Sequence, residues 1–98
     1  MPRACWNGAV LADAESEAVR IVDGEVYFPP ESVDRTYLRE SLTQTVSADR
    51  GVASYFDVVV DGEVNADAAW FHASPKPQAE EIAGYVAFRK GVEVELGA

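Results

Sequence analysis

Four hydroxyl residues, Ser41, Thr43, Thr45 and Ser47, occupy alternate positions just before an Asp49-Arg50-Gly51 turn and the apolar run Val52 to Val60. In an extended segment alternate side chains share a face, so the hydroxyls form either a polar binding strip or the solvent side of an edge strand. Arg50 stands next to a glycine that lets the backbone turn or approach a ligand, and its guanidinium can clamp a carboxylate or phosphate. It can equally pair with Asp49, Asp57 or Glu25. His72 is the single histidine and precedes the break at Ser74-Pro75-Lys76-Pro77. A strand-end position with partial solvent access is predicted for it. There it acts as a general base near neutral pH, or rests against backbone or water. Trp70, Tyr27, Phe28, Tyr55, Phe71, Tyr85 and Phe88 supply enough aromatic surface for a core, and one or two of them for the walls of a pocket.

Several chemistries are missing from the chain. It has no glycine-rich phosphate loop, no GxSxG elbow and no HExxH pair. Cys5 is the single cysteine, which excludes an intramolecular disulfide and a multi-cysteine zinc site within one chain. No metal ligand set and no cofactor are therefore expected. Eight Lys and Arg against 17 Asp and Glu leave a net charge of -9, which repels nucleic acid and anionic membranes. A local basic site around Arg35, Arg39, Arg50, Arg89 or Lys90 is compatible with that total. Apolar residues at 48% and charged residues at 26% give a globular balance. No apolar run approaches the roughly 20 residues of a membrane span. MPRACWNGAV lacks a signal-peptide core, and a cytoplasmic location is expected.

The elements that must position these residues read as β-rich. Over 98 residues one domain is expected. Asp23-Gly24 and Asp61-Gly62 each lie between apolar runs and mark tight hairpins. The first joins a strand near Glu17 to Val22 with one from Glu25 to Phe28, which Pro29-Pro30 ends. Glu31 to Arg39 has Val33 and Tyr37 four apart and predicts a short helix capped by Ser32. Val52 to Val60 is the strongest strand, with Val52, Ser54, Phe56, Val58 and Val60 on one face. Its partner, Glu63 to His72, puts Trp70 and Phe71 on opposite faces. Gln78 to Ala83 predicts a helical turn, Tyr85 to Phe88 a strand, Lys90-Gly91 a turn and Val92 to Leu96 a half-exposed edge strand. The total is about six or seven strands and two brief helices, a mainly antiparallel β domain. Two or three residues at each terminus read as expendable.

The segments WNGAVLA, VDGEVYFPPESV, SLTQTVSADRGVASYFDVVVDG, DAAWFHASP and IAGYVAFRKGVEV, in this order, resemble the bacterial domain of unknown function 427 family from Trp6 to Glu95. The resemblance implies a small fold related to the β-tent, and, because the zinc-holding Cys pairs of many β-tents are absent, a zinc-free version. The family's motif T-x-C-P-W-K-G-x-A-x-Y is matched by Thr45, Ser47, Ala48, Asp49, Arg50, Gly51, Ala53 and Tyr55. Arg50 keeps the positive charge of the motif lysine, while Ser47 replaces the cysteine and removes its thiolate. Ala68, Ala69 and Trp70 continue the family's Ala-Ala-Trp run. The family also carries a nucleotidyltransferase-like label. Here Asp61 and Glu63 stand two apart without the Gly-Ser turn such a site uses, and a hairpin explains Asp61-Gly62 better.

Three readings of function follow. The first is a binding module for an anionic or polar small molecule, with Tyr27, Tyr55 and Trp70 as walls, Arg50 as anchor, and Ser47 and His72 beside them. The second is a small-molecule enzyme, for instance a transferase, using His72. The third is a structural homodimer without ligand, paired through Val92 to Leu96, against which the exposed Glu93 and Glu95 weigh. Monomer and homodimer both remain open.

Overall fold

The computed structural model describes residues 1–97 as a single, mainly antiparallel β domain. The strands are β1 (Arg3–Trp6), β2 (Ala9–Asp13), β3 (Arg20–Val22), β4 (Glu25–Tyr27), β5 (Leu38–Ser47), β6 (Gly51–Val60), β7 (Glu63–Phe71), β8 (Val86–Phe88) and β9 (Glu93–Glu95). They form a four-stranded sheet in the order β5-β6-β7-β8, a three-stranded sheet β2-β1-β9, and the β3-β4 hairpin. Reciprocal backbone bonds between Phe28 and Val86, at 2.8 and 2.9 Å, lay the hairpin alongside β8.

Turn chemistry explains the strand ends. Asp61 and Gly62 take φ of 50° and 78°, the paired left-handed geometry whose twist matches the flanking strands. Asp23-Gly24 and Lys90-Gly91 repeat it, as expected. So does Asn7-Gly8, which joins β1 to β2. That dipeptide is an equally strong hairpin signal, and it adds a hairpin to the two expected from Asp-Gly.

The helix expected over Glu31 to Arg39 is replaced by two single 3-10 turns, Pro30–Ser32 and Arg35–Tyr37. Such a segment is too short to propagate a helix, and its polar side chains favour local turns. Asp34 caps the second turn by accepting from the Thr36 amide, whereas the Ser32 hydroxyl donates to Pro29 O. Arg39 belongs to β5. The turn expected at Gln78 to Ala83 is present as 3-10 helix over Pro77–Ile82.

The two faces of the large sheet alternate as the strand pattern requires. Phe56, Val58, Val60, Ala69, Val86 and Phe88 point inward with Phe28 and meet Ala4, Leu11 and Ala12 of the smaller sheet. Phe28 is fully buried and packs edge-on against Phe88, ring centroids 5.9 Å apart. Burying one such ring stabilises the fold by roughly 1.5–3 kcal/mol. Phe71 stacks on Phe56 at 5.0 Å, while Trp70 lies on the outer face beside Tyr55, which bears out the expected split of Trp70 and Phe71.

Both neighbours of β6 bulge. On one side Glu40 pairs with Phe56 and Gln44 with Ser54, so Ser41, Leu42 and Thr43 stand against Tyr55 alone. On the other, Ala69 pairs with Phe56 and Asn65 with Val58, so Ala66, Asp67 and Ala68 stand against Asp57 alone. Asp67, at φ 55°, locks the two bulges together across β6. Its carboxylate accepts from Ser41 Oγ at 2.5 Å and Thr43 Oγ1 at 2.7 Å, and its amide donates to Asp57 Oδ1 at 3.0 Å. Arg89 Nε donates to Asp67 O at 2.9 Å and Lys90 Nζ to Ala66 O at 2.8 Å.

The N-terminal residues are not expendable. Pro2 is fully buried, Ala4 is 0% exposed, and β1 is the central strand of its sheet. Deleting Met1 to Cys5 strips both β2 and β9 of their partner, and loss of a cooperative thermal transition by circular dichroism is the expected result. A melting temperature within a few degrees of the parent would contradict the assignment.

The hydroxyls of Ser41 and Thr43 hold the Asp67 carboxyl below its ordinary value of 3.8. A depressed folded-state pKa contributes stability in full above the unfolded value and loses it as pH falls toward the folded one. Asp67→Asn should therefore unfold less steeply with acid below pH 3.8 than the parent in urea titrations, and equal slopes would count against the clamp.

Candidate functional site

The outer face of the large sheet carries the expected residues. The register of β6 against β7 sets Tyr55 opposite Trp70, and that of β7 against β8 sets Trp70 opposite Ala87. Tyr27 comes in from β4. Its ring stands nearly perpendicular to Trp70 at 6.2 Å, and its hydroxyl accepts from Trp70 Nε1 at 3.4 Å. Tyr55 lies 6.4 Å from Trp70, tilted by 38°, and Thr45 Oγ1 shares a hydrogen bond with the Tyr55 hydroxyl at 3.2 Å. Tyr27 is 1% exposed and serves as the floor, whereas Tyr55 and Trp70 are half-buried and present ring surface to solvent. Ile82, Ala79, Ala87, Val22 and Tyr85 close the other end of this aromatic cluster.

Ser47 ends β5, and its hydroxyl accepts from the Asp49 and Arg50 amides at 3.2 and 3.3 Å. It shapes the turn that carries Arg50, a local task suited to a serine hydroxyl. Arg50 Nη2 donates to Asp23 Oδ2 at the tip of the β3-β4 hairpin. None of Asp49, Asp57 and Glu25, the partners weighed from the sequence, takes it; Asp57 pairs with Arg39 at 3.0 Å. The ion pair is lopsided: the Arg50 side chain is 19% exposed and that of Asp23 74%.

His72 departs from its expected exposure. It is 3% exposed, because a parallel bridge between His72 and Ala83 and a bond from the Gly84 amide to His72 O draw the following loop over it. Nδ1 lies 3.1 Å from Val52 O, and the ring centroid is 6.4 Å from that of Tyr27. As the donor to that carbonyl, Nδ1 carries the proton of the neutral ring and leaves Nε2 as an acceptor. Burial lowers its pKa below the ordinary 6.5, against the bond to Val52, and the nearby Arg50 charge lowers it further.

Two further residues belong to this face: Arg89, expected only as one of five candidates for a local basic site, and Asp23. Arg89 places its guanidinium 5.1 Å from the centre of the Tyr55 ring, within cation–π range. Asp23 had been read as a turn residue only. The structure also has two open clefts. One of about 400 Å³ is lined by Asp13, Glu15, Arg20, Glu31 and Tyr85 among others, and one of about 260 Å³ by Gln44, Ser54, Tyr55, Phe56 and Phe71 among others, so that it shares Tyr55 with this face. Neither includes Arg50, Trp70 or His72. Among the described residues no group of three or more His, Cys, Asp or Glu is placed to hold a metal ion, and no helix is long and apolar enough to cross a membrane.

The fold and the face together define a small antiparallel β domain with aromatic rings and the Arg50 and Arg89 guanidiniums on its outer surface. The chain belongs to the family described as domain of unknown function (DUF427), whose model matches residues 2–97. No curated protein matches it.

The His72 environment has a pH signature. A histidine whose folded pKa is depressed supports the fold in full above the unfolded value of 6.5, and that support is lost as pH falls through the folded pKa. His72→Asn, which keeps a donor near the Nδ1 position, should flatten the decline of stability below pH 6.5 measured by chemical denaturation. An identical decline in parent and variant would mean that His72 is not held neutral.

Proposed function

We propose that the domain is a binding module for a small anionic or strongly polar molecule. Arg50 receives the anionic group, and the half-buried Trp70 and Tyr55 rings receive the flat or apolar part, with Tyr27 beneath them and Ser47 fixing the Arg50 turn. The observation that carries this reading is the lopsided Arg50–Asp23 pair. A guanidinium that is mostly withdrawn from water keeps a strong preference for an anion, whereas a carboxylate mostly in water is readily replaced by another. Asp23 thus occupies the position that a ligand carboxylate or phosphate would take. Arg89 over Tyr55 adds a second positive charge to the same face of an otherwise acidic protein.

Binding is favoured over acid–base catalysis by His72. Its ring is buried under the loop that follows β7, and Nδ1 is committed to a backbone carbonyl, so a substrate reaches it only if that loop moves. The β-tent relation and the absence of a zinc requirement belong to the same proposal.

Calorimetric titration with inorganic phosphate, succinate and citrate tests it. At least one of these anions should bind, Arg50→Ala should weaken that binding tenfold or more, and Asp23→Asn should strengthen it by removing the competing carboxylate. Unchanged affinity in Arg50→Ala, or no binding by any of the three anions to either the parent or Asp23→Asn, would overturn the proposal.

A further inference from the structure

Among the described residues β5 is hydrogen-bonded to a neighbouring strand on one side only, where it meets β6, and its other edge is open along ten residues. Exposed edges are commonly blunted by charge, proline or a bulge, and beyond Glu40 β5 has only the last, at Ser41 to Thr43. From Ser41 to Ser47 this one has no charged residue, no proline and no glycine, in a chain with a net charge of -9. Leu42 is fully exposed, Val46 is 79% exposed and its cross-strand neighbour Val52 is 45% exposed. Ser41, Leu42 and Thr43 bulge and have no register partner in β6; the Ser41 and Thr43 hydroxyls are tied to Asp67, while Leu42 stands in solvent.

The segment reads nearly the same in both directions. About Gln44, Thr43 mirrors Thr45, Leu42 mirrors Val46 and Ser41 mirrors Ser47. An antiparallel pairing of two copies about a two-fold axis places such residues opposite one another, since an isologous contact uses the same surface on both chains. Each Leu42 then faces the Val46 of the other copy, which joins the two most exposed apolar side chains of the strand. Hydroxyls face hydroxyls, and beyond the strand end the same register brings Arg39, which also pairs with Asp57, against Asp49 of the turn, opposite charges at both ends of the contact. The edge β9 lacks this property, because a two-fold pairing about Val94 would bring Glu93 against Glu95.

We infer that β5 is a self-association edge, through which two copies of this chain join their four-stranded sheets into one continuous sheet. The occupant is a second copy because the strand is complementary to itself in side-chain type and in end charge. This places the dimer at β5, not at Val92 to Leu96, and it is independent of any ligand at Arg50.

Sedimentation velocity over a range of micromolar concentrations tests the inference, with Val46→Lys and Asp49→Arg beside the parent. The parent should sediment as a dimer. Val46→Lys places a charge against Leu42 of the other copy and should be monomeric, with a melting curve that remains cooperative because Val46 makes little contact within its own chain. Asp49→Arg, which sets two positive charges together at each end, should weaken the dimer at least tenfold. A monomeric parent throughout the range, or a dimer that survives both substitutions unchanged, would overturn it.

Discussion

The clamp at Asp67 is the constraint on which the outer face depends. Hydrogen-bonded pairing away from the β6–β7 turn begins with Val60 opposite Glu63; continued without interruption it would set Tyr55 against Ala68. The bulge at Ala66 to Ala68 shifts the register and puts Tyr55 opposite Trp70 instead. An inserted pair of residues preserves which side chains face in and which face out, so the core is kept while the neighbours change. The matching bulge in β5 brings Ser41 and Thr43 over β6 to the Asp67 carboxylate. A backbone at positive φ is sparsely populated by residues other than glycine, and Asp is among those that tolerate it. Five hydrogen bonds to three other segments hold this stretch in that conformation.

Once Tyr55 and Trp70 are neighbours, the remaining features of the face follow from the strands around them. Ala87 of β8 is small and leaves room for Tyr27 to reach under Trp70 from β4. The β3-β4 hairpin that carries Tyr27 also carries Asp23 at its tip, so the hairpin contributes both the aromatic floor and the carboxylate that meets Arg50. Burial and the neighbouring guanidinium both hold the His72 pKa below its ordinary value, so the ring adds no positive charge beside Arg50 at neutral pH.

The legible part of the fold was local. Asp-Gly dipeptides fix a turn through two adjacent residues, and strand alternation then separates Trp70 from Phe71 without knowledge of the rest of the chain. The same logic applied to Asn7-Gly8 reads β1 and β2 directly, and the burial of Pro2 follows from β1 lying at the centre of its sheet. The bulges were not legible, because they depend on contacts such as Ser41 with Asp67 that no local spacing encodes. For the same reason the hydroxyl ladder could not be resolved from its alternation: Ser41 and Thr43 serve the clamp, Thr45 meets Tyr55, and Ser47 shapes the turn. The gathering of Tyr27, Tyr55, Trp70 and His72 was anticipated; the partner of Arg50 and the burial of His72 were set by the hairpin and by the loop after β7.

The central claim is that the Arg50 guanidinium and the Trp70 ring act as one binding surface. Nuclear magnetic resonance tests it most directly, by following the Arg50 Nε–H and Trp70 Nε1–H signals during a titration with a citrate salt at constant ionic strength. Both signals should shift together along one saturating curve. If they stay fixed while signals elsewhere on the domain saturate, the surface is not the one described.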